Sequence, residues 1–262
     1  MGLSIINDTT PPTISGPDDI SLYVGDAVSY KKDFFVSDDC FGAVTLDVDV
    51  SAVDTSKEGT YTAIYTATDA SGNKATKSVT VWVHDLKVTE DMLWKKVDTT
   101  ISYIIKDGMT KEEQCRAIYN HVSKNIFYHP DSDKSDWVAE AYRGMYVSYG
   151  GDCFTFYAIA KAFMERLGIE YIDMQRLPGY SDTTHFWLMV NIGDENTPVW
   201  YHYDLCPVRH DAYYFSGGLY TDKQVDAYNT ARPHYYERDK SKYPATATEI
   251  ITPTPSLEDF YT

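Results

Sequence analysis

Near residue 84 the hydrophobic period of this 262-residue chain changes from two to that of a helix, which constrains the fold more than any other feature. Before it, Ile20-Leu22-Val24, Val44-Leu46-Val48-Val50, Tyr61-Ala63-Tyr65-Ala67 and Val79-Val81-Val83 alternate with polar residues, as strands with one wet face do. Gly25-Asp26, Lys57-Glu58-Gly59 and Ser71-Gly72-Asn73 mark turns between them. Short strands at this rhythm over about 80 residues predict an all-β sandwich. The length suits two domains, 1–84 and 85–250, with a Thr/Pro linker or tail over 251–262 that holds Thr252-Pro253-Thr254-Pro255-Ser256.

Three segments of the first domain, Asp8 to Ile14, Gly59 to Asp69 and Ala70 to Ala75, resemble the immunoglobulin-like repeats of bacterial surface proteins. The resemblance spans residues 8–83. It implies a spacer or adhesion module and an extracellular or cell-surface setting, and it implies no activity. Cys40 has no partner cysteine in this domain, which excludes an internal disulfide. Asp38, Asp39, Asp69 and Asn73 are candidates to gather at one end of the sandwich and hold calcium. Their spacing matches no defined calcium loop, so solvated acidic turns are the expectation.

Past residue 84, Thr89 caps a predicted helix with Leu93, Val97, Ile101, Ile104 and Ile105 inside. Thr110-Lys111-Glu112-Glu113 is a capping box for a second, on which His121 falls with the apolar residues as a packed side chain. Asn125-Ile126-Phe127-Tyr128 reads as a short strand. Then comes Gly150-Gly151-Asp152-Cys153, followed by Phe156, Ile159, Ala160, Phe163, Met164 and Leu167 at helical spacing and closed by Gly168. Asp152 is a good N-cap, so Cys153 stands at the positive end of a helix dipole, where a thiolate is favoured.

A nucleophilic cysteine needs a base and a group to orient it. Thr184-His185-Phe186-Trp187-Leu188-Met189-Val190 reads as a buried strand opening with histidine, and Val199-Trp200-Tyr201-His202-Tyr203-Asp204 as a second ending in aspartate. The intervening turn, Gly193 to Pro198, is short enough to make the two antiparallel neighbours, with His185 opposite Asp204. By strand alternation His202 shares a face with Asp204 and is expected to border the cleft. From Asp211 to Tyr243 the chain is rich in tyrosine (Tyr213, Tyr214, Tyr220, Tyr228, Tyr235, Tyr236, Tyr243); it is expected to wrap the sheet and is a candidate to line the cleft, with ordinary aromatic packing expected for most of these residues.

Cysteine at a helix start, histidine on the next strand and aspartate on the strand after it resemble the transglutaminase-like superfamily of papain-related thiol enzymes, over roughly residues 88–248. The elements carrying the resemblance are Gly151-Asp152-Cys153, Gly168-Ile169-Glu170-Tyr171, His185-Phe186-Trp187 and Trp200-Tyr201-His202-Tyr203-Asp204. One departure is Phe186, where family members often carry a small residue; its bulk bears on access to the cleft. The resemblance implies an α+β transglutaminase-like (papain-like) domain with the catalytic triad Cys153, His185 and Asp204. It also implies thiol-dependent hydrolysis or acyl transfer at amide bonds of a peptide or protein, cell-wall peptide included. Hydrolysis holds a slight lead over cross-linking, because water is the more abundant acceptor. The backbone N–H of Cys153 is the first oxyanion donor, with Tyr149 and Trp137 as candidates for the second. The rival reading is a catalytically silent adhesion or wall- and peptide-binding module.

A net charge of −16, from 23 basic and 39 acidic residues, and a pI near 4.7 exclude a nucleic-acid partner, whose phosphates need a basic face. No apolar run approaches the ~18 residues of a membrane span. Met1-Gly2 opens on a folded-looking segment without a leader, as expected of a piece of a longer secreted precursor. Cys40, Cys115, Cys153 and Cys206 form no CxxC pair, and His202, His210 and His234 no zinc pattern. Reduced thiols, no metal, no cofactor and a monomer are therefore expected, with a Cys153–Cys206 disulfide as a minor alternative.

Overall fold

The computed structural model describes residues 8–252 except 41, 86, 180–183 and 207–217. The chain divides into two compact units, Met1–Lys87 and Val88–Thr262.

The first unit is built of strands. β1 (Thr13–Ser15) pairs antiparallel with β3 (Phe35–Ser37). A second sheet runs β2 (Asp19–Tyr23), β6 (Lys74–His84), β5 (Gly59–Thr68), β4 (Thr45–Asp49), with β2 parallel to β6 and the other pairs antiparallel. The period-two pattern sends Ala63, Tyr65, Val79, Val81 and Val83 inward to one core. Tyr65 stacks on Phe34 at 3.9 Å between ring centres, and its hydroxyl donates to the Tyr30 carbonyl at 2.6 Å. The buried phenol is thereby satisfied without any second polar side chain.

The second unit is mixed α/β. α1 (Glu90–Ile104) is capped by Thr89, whose hydroxyl accepts from the Met92 N–H, and α2 (Lys111–Asn125) by the reciprocal Thr110–Glu113 box. His121 is half-buried on α2, with its ring edge-on to Tyr103 at 5.8 Å. β7 (Phe127–Tyr128) precedes α3 (Trp137–Tyr146), an element missing from the sequence reading, and β8 (Gly150–Gly151) pairs parallel with β7. α4 (Cys153–Leu167) ends at Gly168, whose φ of 65° is the left-handed conformation that glycine adopts freely. An antiparallel sheet follows in the order β12 (Leu219–Tyr220), β11 (Trp200–Tyr203), β10 (Phe186–Asn191), β9 (Tyr171–Gln175). α5 (Asp222–Ala231), also unforeseen, and a 3-10 turn at Lys240–Lys242 complete it.

Three layers result. α4 buries Phe156, Ile159, Phe163 and Met164 against Leu188, Val190, Tyr201 and Tyr203 on one sheet face, each worth roughly 1.5–3 kcal/mol of burial. The opposite face, with Met174, Trp187, Met189 and Trp200, is covered by Val225 and Tyr228 of α5 and by Tyr236. The tyrosine-rich segment is thus the third layer, and Tyr213 and Tyr214 lie outside the described residues. So do most of the Thr/Pro tail and His210. No helix among the described residues is long and apolar enough to cross a membrane.

Candidate active site

The start of α4 is held from several sides. The Asp152 carboxylate caps the helix by accepting the Phe154 N–H at 2.8 Å, and also receives the Ser132 hydroxyl at 2.6 Å and Lys134 Nζ at 2.9 Å. Thr155, two residues past the cysteine, donates its hydroxyl to the buried Glu140 of α3, which also accepts the Asp133 N–H at 3.1 Å. Any side chain on Gly151 would put its Cβ 1.9 Å from Thr155 Oγ1, so only glycine lets the chain pass here. The position of Cys153 follows from these contacts.

Cys153 is half-buried and its Sγ lies 3.5 Å from the Thr184 carbonyl. His185 and Asp204 sit one residue outside β10 and β11, on strand ends that the ladder Leu188–Tyr203 aligns. His185 Nε2 meets Asp204 Oδ2 at 2.8 Å, and both side chains are 3 % exposed. That leaves Nδ1 on the side of the ring away from Asp204, and the Cys153 side chain is close enough to act on the His185 charge. The structure therefore brings together the three residues that the spacing singled out. Burial alone would lower the His185 pKa; the Asp204 carboxylate overturns this, and with the Cys153 contact the pKa rises to about 9.

Other neighbours had no individual role assigned from the sequence, although Tyr235 and Tyr236 belong to the tyrosine-rich segment. Tyr236, fully buried, donates its hydroxyl to Asp204 Oδ2 at 2.8 Å, while the Cys206 N–H donates to Oδ1 at 2.9 Å. Tyr235 lies against His185 at 4.2 Å between ring centres and Trp187 stacks on it at 5.5 Å. Arg176, 7 % exposed, gives its N–H to the His185 carbonyl at 2.9 Å, directly opposite the histidine in the β9–β10 ladder. A tyrosine 32 residues beyond its aspartate offers no local signal. A buried arginine next to the last residue of a strand is the one cue the sequence held.

One expectation is corrected. His202 shares the face of Asp204 but does not border a cleft. It is wholly buried, accepts from Trp187 Nε1 at 3.1 Å through Nδ1 and faces Asp222 through Nε2 at 3.1 Å, with Arg238 also on Asp222. Trp137 lies under Lys161, at 5.0 Å from ring centre to Nζ. Tyr149 is 53 % exposed. Cys153 and Cys206 are free thiols, and burial pushes the Cys206 thiol well up. Phe186 packs edge-on to Phe154 at 5.2 Å and beside Tyr157 at 5.8 Å, clasped by α4.

In the first unit, Asp69 turns its carboxylate inward on its own turn, accepting the Ser71 N–H at 2.8 Å, the Asn73 N–H at 2.9 Å and Asn73 Nδ2 at 2.9 Å. Ligand-type atoms of Asp8, Asp38 and Cys40 come within 4.8 Å of one another. Hydrogen bonds within such a turn need no cation.

Residues 12–83 match the family model for the Ig-like domain of bacterial surface proteins. No curated protein matches the chain. Among solved structures, an arylamine N-acetyltransferase from Mycobacterium abscessus is similar at 19% identity and a TM-score of 0.28, over 51% of this chain and 54% of that one. A lipoprotein from Bacteroides thetaiotaomicron is similar at 21% identity and a TM-score of 0.23, over 30% and 40%. The chain spans about half or less of these two proteins, and neither likeness carries an argument.

Proposed function

We propose that the second unit is a transglutaminase-like thiol enzyme that cleaves or transfers acyl groups at peptide or protein amide bonds, carried at a bacterial cell surface by an immunoglobulin-like sandwich. The observation that carries this reading is the buried 2.8 Å His185–Asp204 pair with Cys153 at the helix start beside it, its side chain acting on the same imidazole. A histidine held in its charged form by Asp204 places a cation beside the cysteine, the arrangement that activates a nucleophile. The thiolate attacks the amide carbonyl carbon. As the C–N bond breaks, the leaving nitrogen takes its proton from His185. Water or an amine then attacks the thioester carbon, gives its proton to His185 and releases the Cys153 thiolate. Asp204 keeps the ring oriented and stabilises its charged form throughout.

The test is a peptide-library digest read by mass spectrometry, with and without a primary amine. Cleavage means hydrolase, amine adducts mean cross-linking, and either should vanish in Cys153→Ala. The thiol is tested separately: Cys153 should react with iodoacetamide at pH 6 at least about tenfold faster than Cys40, given the reactivity of thiolates over thiols. A silent library and a sluggish Cys153 would support the binding-module reading instead.

A further inference from the structure

Arg232, just past α5, has its guanidinium 4.7 Å from the centre of the Tyr235 ring, and that ring lies 4.2 Å from His185. The arginine is exposed. Its described partners are phenols: it stands over Tyr235 and bonds Tyr228, with Tyr128 close by. No carboxylate pairs with it among the described residues, in a chain with 39 acidic residues and a net charge of −16. The nearby acids are occupied. Asp204 holds His185, Tyr236 and the Cys206 N–H; Asp152 holds Ser132, Lys134 and the helix start; Asp226 holds Arg238 and Lys240. A second arginine, Arg176, lies opposite His185 in the ladder, on the same sheet face. Among the described residues, an exposed guanidinium and an aromatic ring thus stand at the edge of His185, although the protein as a whole is strongly anionic.

We propose that Arg232, seated on Tyr235 at the edge of the Cys153–His185 pair, binds a carboxylate of the substrate, so that the site takes acidic peptides. This rests on the acyl-transfer reading above and names its substrate class. Laid end to end, the two ring separations put the guanidinium within about 9 Å of the His185 ring. An extended chain covers that in roughly two to three residues. The carboxylate thus belongs two to three residues from the scissile carbonyl, as an acidic side chain or a free C-terminus. Tyr235 fixes the guanidinium by cation–π contact and leaves its N–H groups to bond the incoming anion.

The probes are N-iodoacetyl-glycylglycine and its C-terminal amide, which place a carboxylate or a neutral group at that reach from the sulfur. The full chain is treated at pH 8.5, where ordinary thiols alkylate, and the acid-to-amide rate ratio is read at Cys153 by mass spectrometry, with Cys40 as reference. The ratio at Cys153 should exceed that at Cys40 by roughly fivefold, as a partly exposed ion pair allows, and fall to the Cys40 value in 0.5 M salt. Arg232→Gln should bring the acid-to-amide ratio at Cys153 down to the Cys40 value, and Arg232→Lys should restore part of it. Equal ratios at Cys153 and Cys40 in the native protein at low salt would overturn the proposal, whatever the variants do. So would a preference that survives Arg232→Gln. Because the ratio is taken at pH 8.5 and the catalytic reading is tested by the rate at pH 6, the two ideas fail separately.

Discussion

The two units bury very different things. Among the described residues, the strand unit buries hydrocarbon, the Tyr65 phenol and only two carboxylate or imidazole side chains, Asp69 and His84. The α/β unit buries Asp133, Glu140, Asp152, Arg176, His185, His202, Asp204 and Arg238. Removing charge from water costs several kcal/mol per group unless partners replace the water. A fold that accepts this cost repeatedly around one cysteine has a use for preset charge, whereas the first unit follows hydrophobic alternation alone. The contrast makes different mutations matter in each unit.

The largest effect should come from Asp204→Asn. It removes the anion that reverses the lowering effect of burial on His185, so the imidazole becomes neutral near pH 7 and the second ring nitrogen loses its acceptor. Turnover, or Cys153 alkylation at pH 6, should drop by two orders of magnitude or more, as in other triads. The stability profile should change as well. With a folded pKa of about 9 above the ordinary 6.5, protonated His185 stabilises the native state fully below pH 6.5, and this is lost as pH rises through 9. Asp204→Asn should flatten that decline in urea midpoints; an unchanged slope would contradict the pairing.

The second effect belongs to the strand unit. Val81→Ala, at a position with no exposure, should cost about 2 kcal/mol by cavity formation and leave Cys153 alkylation at pH 6 unaltered. A loss of thiol reactivity in that variant would break the comparison, because it would make the first core part of the site.

Tyr236→Phe should be milder. It leaves Asp204 with His185 and the Cys206 N–H, but without the 2.8 Å phenol donor. The loss is about 1 kcal/mol in a melt, typical for one buried hydrogen bond. A carboxylate relieved of one donor holds the imidazolium proton more tightly, so His185 should titrate higher by NMR. A lower titration would show that Tyr236 acts through packing alone.

What was legible beforehand follows the range of the interactions. Thr89, the Thr110–Glu113 box, Asp152 and Gly168 could be read because capping is decided within a few residues. Cysteine, histidine and aspartate could be placed because a helix, a strand and a short turn set their spacing. α3 was missed because Glu140 and Gly144 interrupt its apolar stripe, and both are explained only by Thr155 on α4: one bonds it, and the other leaves room for its methyl group. Tyr236 and α5 were missed because their partners lie across the sheet. His202 was misplaced because alternation fixes which face a residue takes and says nothing of what covers that face.

Glu140 offers the smallest effect and the sharpest use of the comparison. Burial, offset in part by Thr155 and the Asp133 N–H and reinforced by the Asp133 and Asp152 carboxylates, raises its pKa to about 7 from 4.5. A carboxyl whose folded pKa lies above its unfolded value stabilises the native state below pH 4.5, and loses that contribution as pH rises to 7. At pH 8.5 the protein therefore carries a buried anion behind the helix that presents Cys153. Glu140→Gln never ionises; its single oxygen can accept the Asp133 N–H while its amide nitrogen donates to the Thr155 hydroxyl. Relative to the native protein it should melt higher at pH 8.5 than at pH 5, by a few degrees at most for a second unit of this size. Lys134 and Arg143 stand nearby, on Asp152 and Asp133, and belong to both proteins alike, so their charges cancel in the difference. A melting difference independent of pH would mean that Glu140 stays ionised throughout, stabilised by those cations, and that the α/β unit tolerates a buried anion there as readily as the site tolerates Asp204.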